Sequence, residues 1–348
     1  MKKTRSEYWD WWKGLAIISV VIIHASSGTG GFPTGTFNWY FGLILRQLTN
    51  FAVPLFLAYA GYFSARESFE KPIKYYQSRC KRLLYPYLVW TIISISIRNP
   101  SHLLSPIELS KDVFLGLGIG VGYFVIVLLQ FVIVTPALSK IEKTWHHIGI
   151  MITVSVISLM ILYWLRIRFP GHKISEFPIV ALPFIFWYPF YHLGYFANKF
   201  KINKSDFNTR STRFIIFTIF SLSTIASIIE SMLLAHSGLY SFAISQIKIS
   251  NFLASIALFL FSVLSYGYIE FKSKLVAQLG MNSFPIYLMH LIFLSVANRV
   301  LAKYSPIYFY QPLHILLATT LTLVLCVLFI KLLGKAFANS SFKKYIAI

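Results

Sequence analysis

Charge is scarce in this chain, and acid is scarcer still: charged residues fill 12% of its 348 positions, with 11 Asp and Glu against 32 Lys and Arg. Soluble domains carry about a quarter charged residues, so an ordinary water-facing surface is excluded. Cysteine is almost missing. Cys80, beside a basic run, and Cys326, inside a late apolar segment, show no metal-ligand spacing, which argues against a disulfide framework or a zinc site. No internal repeat and no soluble domain is visible, so the whole of 1–348 reads as a single membrane-embedded domain.

What the chain has in place of charge is apolar surface, with 57% hydrophobic and 18% aromatic residues, the composition of an integral membrane protein. The formal net charge of +21 does not point to nucleic acid, because the basic residues sit in clusters between long uncharged runs and form no continuous patch. Lys2, Lys3 and Arg5 before a short apolar stretch imitate a secretory signal peptide. Trp9, Asp10, Trp11, Trp12 and Lys13 at its entrance, His24 near its exit and the many spans that follow exclude that reading.

Apolar runs able to cross about 30 Å of hydrocarbon predict an all-α, polytopic transmembrane bundle of about ten spans. They fall near 9–26, 39–63, 84–97, 119–138, 147–165, 179–197, 213–235, 250–269, 283–301 and 313–333. The third is short and the sixth holds Pro183 and Pro189, so kinked or re-entrant backbone is expected there. Placing the N-terminus in the cytoplasm puts about 23 of the 32 Lys and Arg on that side, including Arg66 to Arg82 in one loop and Lys199 to Arg213 in another. Both termini then lie inside, and the opposite loops are short.

Four stretches carry chemistry. In "DWWKGLAIISVVIIHA", Lys13 and His24 are eleven residues apart, about three helical turns, so they share a face about 16 Å apart along the axis. Spacing alone leaves His24 open between an interface histidine bonded to a carbonyl and a functional group facing the bundle. In "RQLTNFAVPLFLAYAGYF", Ala58, Ala60 and Gly61 favour close helix approach, and Arg46 is read as snorkelling to the outer headgroups, with a buried cation near an anionic ligand as the alternative. Arg79 and Arg82 lie one turn apart near the cytoplasmic face, where they suit either anionic lipid or phosphate oxygens. In "LGMNSFPIYLMH", Ser283, Tyr287 and His290 form a polar stripe on an apolar helix. His146 and His147 are assigned to a cytoplasmic loop, and His102, His172 and His236 to the outer side, as surface histidines.

In order, these four stretches resemble the integral membrane acyltransferase-3 family, whose members O-acetylate bacterial surface sugars and related acceptors. The family pattern of a basic residue and a His with ten residues between matches Lys13 and His24, and the resemblance implies that His24 is catalytic. "VPLFLAYAG" departs from the family's Ser-Gly ending, since Ala60 stands where Ser is usual, which weakens any role for a hydroxyl there. The Arg-x-x-Arg pair matches Arg79 and Arg82, and Ser-x-x-x-Tyr-x-x-His matches Ser283, Tyr287 and His290. "GYFVIVLLQFVIVTPAL" and "HLGYFANKF" look like the family's fourth span and the end of its sixth.

The resemblance implies an O-acetyltransferase of the inner membrane using acetyl-CoA as donor, with no metal, and a cell-surface or lipid-linked glycan as acceptor. On that reading His24 is general base or acetyl carrier, Arg79 and Arg82 hold the nucleotide phosphates, and Asp10 orients or neutralises Lys13. His290 or Tyr287 is a candidate for stabilising the oxyanion. Some relatives continue into an extracytoplasmic hydrolase-like domain, for which no segment is expected here. The rival reading is a polysaccharide exporter or flippase. A glycan polymerase ranks behind both because no outer loop is large.

Overall fold

Backbone in hydrocarbon must satisfy its own N–H and C=O groups, so apolar runs of this length close into helices. The computed structural model describes residues 6–67, 69–303, 305–338, 340 and 345–347, and among these every regular element is helical. Lys2, Lys3 and Arg5 lie outside the described residues.

The first helix, α1 (Glu7–Ala25), leads through a 3₁₀ turn (Ser27–Gly31) into α2 (Phe37–Thr49) and α3 (Ala52–Ser64). The expected second span is therefore interrupted, at Asn50 and Phe51. Pro54 stands in the first turn of α3, where a missing N–H costs nothing because that group has no intrahelical partner. The break is itself bonded: fully buried Asn50 donates from Nδ2 to Gln47 Oε1 at 3.0 Å.

The next segment corrects the expectation of a loop and short third span. Residues carrying Lys74, Arg79, Lys81 and Arg82 belong to one 27-residue helix, α4 (Pro72–Arg98), with Pro72 at its start and Pro86 inside it. A short helix α5 (Pro106–Phe114) precedes α6 (Tyr123–Ser139) and the long α7 (Thr144–Arg168). The expected irregularity of the sixth span is present as two 3₁₀ turns, Ile179–Ala181 and Phe184–Phe186, ahead of a 12-residue α8 (Tyr188–Lys199). The chain continues as α9 (Arg210–His236), α10 (Tyr240–Ala243), α11 (Ile249–Leu264), α12 (Lys274–Met281), α13 (Ser283–Leu301), α14 (Ser305–Phe309) and α15 (Gln311–Ala336).

Among the described residues, six segments are long and apolar enough to cross a membrane, and α6 and α11 are shorter apolar helices. The outer faces of α7 and α9 expose Ile152, Met160 and Trp164, and Phe214, Leu222 and Leu233. An apolar girdle of that extent belongs in lipid, which makes the chain a multi-pass membrane protein.

Two crossings lock the bundle. A Cβ on Gly61 would stand 1.9 Å from the Tyr191 carbonyl oxygen, and one on Gly194 would stand 1.8 Å from that of Ala58, so α3 and α8 meet backbone to backbone. Gly14 and Gly280 do the same for α1 and α12, with Cβ positions 2.0 Å from the Val276 oxygen and 1.7 Å from the Asp10 oxygen. Small residues permit such approach where hydrophobic driving force between helices is absent.

Candidate active site

The Ser27–Gly31 turn fixes where α1 stops. Ser26 Oγ donates to the Ile23 carbonyl at 3.1 Å, Thr29 Oγ1 donates to that of Ser26 at 2.7 Å, and the glycine-rich turn carries no helix-forming side chain to prolong it. His24 therefore sits in the last turn of α1, at the end opposite Asp10 and Lys13. Carbonyls of a last turn lack intrahelical partners and attract cations. Arg46 answers this from α2: its Nη1 donates to the Ile23 oxygen at 2.8 Å.

Arg46 thus corrects the reading that it snorkels to headgroups. Its guanidinium caps α1 and lines, with His24, a cavity of about 410 Å³ bordered by α1, α2, α13 and the loops that precede α6, α8 and α11. Arg46 Nε is buried without a hydrogen-bond partner. Neither ring nitrogen of His24 has a hydrogen-bond partner among the described residues.

The α13 stripe reaches the same place. His290 lies with its ring centroid 5.2 Å from that of His24 and is fully buried. Its Nδ1 lies 2.7 Å from the Tyr287 carbonyl oxygen, and because a carbonyl only accepts, Nδ1 carries the proton. The neutral ring then offers its Nε2 lone pair, and that atom is buried and unpartnered. Tyr287 lines the cavity but spends its hydroxyl on the Val121 carbonyl, which holds the glycine-containing loop before α6 against α13. Ser283, at the start of α13, is buried and does not line the cavity.

The remaining residues singled out from sequence lie elsewhere. Lys13 pairs with buried Asp10 at 2.6 Å, near the crossing of α1 with α12. Arg79, on α4, forms an ion pair with Glu67, and neither Arg79 nor Arg82 lines the cavity. Thus His24, His290 and Tyr287 converge with Arg46, while Asp10, Lys13, Arg79 and Arg82 occupy the opposite half of the molecule.

One assignment from sequence is overturned by burial. His147 is no loop histidine: it stands in the first turn of α7, fully buried, with Nδ1 2.6 Å from His192 Nε2 and Nε2 3.0 Å from the Ile141 carbonyl oxygen. The carbonyl requires the proton on Nε2, and the close Nδ1–Nε2 contact holds a single shared proton, so the two rings do not both carry a charge. A repulsive double charge is thereby avoided inside the bundle.

Sequence reasoning also missed a polar wall of the cavity. Arg166, at the end of α7, donates from Nη1 to Glu176 Oε2 at 2.8 Å, and Ser241 on α10 donates to Glu176 Oε1 at 2.8 Å. These groups are far apart in sequence and stand where outer-loop charges are ordinary, so no spacing rule could have joined them. Lys248 escaped for the same reason: fully buried behind this wall, it donates to Gln47 Oε1 at 3.0 Å and Ser231 Oγ at 2.5 Å.

The fold and cavity define a polytopic all-α membrane protein in which an imidazole and a guanidinium face one cavity of the helix bundle, with a second imidazole packed behind the first. The chain matches the Acyl_transf_3 family model, an acyltransferase domain, over residues 6–331, and so it belongs to that family. It is an acyltransferase. No curated protein and no solved structure matches it.

Proposed function

We propose that this acyltransferase moves an acetyl group from acetyl-CoA to a hydroxyl of a cell-surface or lipid-linked glycan, and that the reaction takes place at His24. The observation that carries the reading is an imidazole whose two nitrogens have no partner among the described residues, facing a cavity that it shares with Arg46.

Transfer to an alcohol needs a base near neutrality, and imidazole is the side chain suited to it. His24 takes the acceptor's hydroxyl proton as the oxygen attacks the thioester carbonyl carbon. The carbonyl oxygen becomes an oxyanion, for which Arg46 supplies a fixed cation and free N–H groups. Collapse breaks the C–S bond, the thiolate recovers the proton from the His24 imidazolium, and the products are an acetyl ester and CoA. His290, presenting an unused lone pair on a ring 5.2 Å from that of His24, is placed to accept the second N–H of His24 when that ring turns towards it during the reaction; this makes it a positioning residue. Tyr287 is left to hold the loop wall.

The donor's phosphates suit the half of the molecule that carries Arg79 and Arg82, with the thioester arm passing between helices alongside α1 towards His24. Asp10 and Lys13 serve there as an ion pair at the base of α1, too far from His24 to partner it. This division leaves the inner-membrane cytoplasm as the donor side and the cavity as the acceptor side.

The test is to feed acetyl-labelled acetyl-CoA to membranes containing the protein and recover label in the glycan. Wild-type membranes are expected to give ester-linked label that mild base removes, and a folded His24→Ala protein is expected to give none above background. Full transfer by His24→Ala removes His24 from the mechanism. No transfer by wild type with intact acceptor present overturns the reading in favour of a transport role.

A further inference from the structure

The cavity has two unlike walls. One is polar: the Arg166–Glu176 pair, Ser241 bonded to the same carboxylate, and Gln246, whose Oε1 is buried without a partner. Arg166 Nε is likewise buried and unpartnered, on a side chain only 5% exposed. The other wall is aromatic. Tyr123 sets its ring edge-on to Phe177 at 5.3 Å between centroids and tilted to Trp187 at 6.0 Å.

An ion pair drawn out of water at this depth costs desolvation that apolar residues would avoid, and such groups facing a cavity within a membrane bundle mark function by default. Here donors and acceptors alternate along one wall, with a guanidinium, a carboxylate, a hydroxyl and an amide. An aromatic corner, built from the rings of Tyr123, Phe177 and Trp187, stands on the adjoining wall. The ligand that matches both is a ring bearing hydroxyls around its edge and C–H groups on its faces, and a cavity of about 410 Å³ holds a ligand of one or two such rings.

We infer that Arg166, Glu176, Ser241 and Gln246 form the binding subsite for a pyranose ring, with Tyr123, Phe177 and Trp187 supplying the face on which it packs. The inference rests on the proposed transferase reading for the purpose of the ring, which is to hold the acceptor hydroxyl towards His24. It stands apart from that reading in its residues and its test. A group that leaves a buried acceptor atom unpaired is poorly tolerated unless something fills it, and here a sugar hydroxyl donates to Gln246 Oε1 while another accepts from Arg166 Nε.

The test uses the full-length protein in detergent and three probes: methyl α-glucopyranoside, methyl α-galactopyranoside and methyl α-rhamnopyranoside. Binding is read by saturation-transfer NMR, thermal unfolding is recorded for every variant, and acetyl transfer is measured in parallel. At least one glycoside is expected to bind wild type and His24→Ala alike. Gln246→Leu removes no hydrogen bond made within the protein, so it should leave thermal unfolding unmoved while weakening the glycoside about tenfold; Ser241→Ala gives up the bond to Glu176, so it should weaken the glycoside by a similar factor with a small fall in unfolding temperature. In the transfer assay both raise the acceptor KM and leave kcat and the donor KM unchanged.

Glycoside binding that depends on Gln246, with no transfer by any protein, upholds the subsite and sinks the transferase reading. Transfer with acceptor KM and binding unchanged in Gln246→Leu and Ser241→Ala overturns the subsite and spares the transferase. Failure of wild type to bind any of the three probes also overturns it. If the Arg166–Glu176 pair only ties the loop to α10, Ser241→Ala and Glu176→Gln lower the unfolding temperature and leave binding of the glycoside intact, and the subsite is again overturned.

Discussion

At the scale of single residues, the chemistry turns on which groups are left unsatisfied. Among the described residues His24 has unused nitrogens and Arg46 an unused Nε at one cavity, and His290, packed against His24, has an unused Nε2. Buried polar atoms are nearly always paired, so a local concentration of unpaired ones points to a missing ligand. Arg46 is the sharpest case. Arg46→Met should reduce turnover by about 10²–10³-fold, the usual cost of losing an oxyanion donor, with donor KM little changed. Arg46→Lys keeps the charge and the cap on α1 but not the fork, so it should recover part of kcat and most of the thermal stability. Equal turnover in Arg46→Met and wild type, measured in single-turnover experiments, would confine Arg46 to capping. His290→Gln retains an acceptor for the His24 N–H and should fall by about tenfold, whereas His290→Leu falls further. Equal loss in both variants would remove the positioning role.

How far these residues could be read in the sequence depended on whether their role was set along one helix or between several. The shared face of Tyr287 and His290 was legible because a helix turns about 100° per residue, whereas spacing left His24 open and only the family resemblance singled it out. Arg46 was misread because its depth along α2 is the same whether it snorkels or turns inward. Its direction is decided by the carbonyl of Ile23, which reaches it only because α1 stops at Ala25. His147 was taken for a loop residue because two histidines beside lysines look solvated. What buries it is His192, forty-five positions later. The Arg166–Glu176–Ser241 wall had no local signal at all, since three separate elements supply it.

At the scale of elements, apolar runs located most helices, but composition misled where charge and helix coincide. The first half of α4 carries four basic residues yet is helical, because a helix satisfies its backbone while long Lys and Arg stems reach the interface. The break between α2 and α3 was equally hidden, although Pro54 marked its neighbourhood. What the small residues did announce is the close crossing of α3 with α8. A side chain at Gly61 must displace backbone, since the obstructing atoms are the carbonyl of Tyr191 and the amide of Tyr195. Gly61→Val should therefore destabilise the protein by about 1–3 kcal/mol or more, read as a fall in unfolding temperature in detergent, whereas Ala60→Ser, on a half-buried face, should be nearly neutral. An unshifted Gly61→Val would mean that the two helices separate more easily than their packing implies. Because α3 also carries Val53 at the cavity wall, the same variant should lower turnover, and that loss should track the fraction unfolded.

At the scale of the whole molecule, α1 works as a spacer between two unlike ends. One end gathers cations and aromatics: Arg66 lies over the rings of Tyr62 and Phe63, Arg213 lies 3.8 Å over that of Tyr268, and Trp9 stacks on Tyr266. A belt with a surplus of Lys and Arg is what the orientation expected from the sequence places at the cytoplasmic interface. At the other end lies the cavity with His24, and the helix rise between Lys13 and His24 is about 16 Å, half the hydrocarbon. On the proposed reading the donor is polyanionic and cannot cross that distance whole without great cost, so its acyl arm would enter from the basic end while its phosphates stay outside. Sealed vesicles test this. Acetyl-CoA added outside should label the acceptor in inverted vesicles, which turn the Arg79 and Arg82 face outward, and not in right-side-out vesicles until they are permeabilised. Arg79→Gln with Arg82→Gln should raise the donor KM in inverted vesicles by about tenfold, leaving glycoside binding at the cavity unchanged, since lost charge-assisted bonds to phosphate act on the donor alone. Equal labelling from both vesicle orientations would place donor and acceptor on one side and leave α1 no role as a spacer. Unchanged donor KM in the double variant would return the two arginines to setting topology, while the asymmetry between vesicles, if present, would still require another basic site at that end to hold the phosphates.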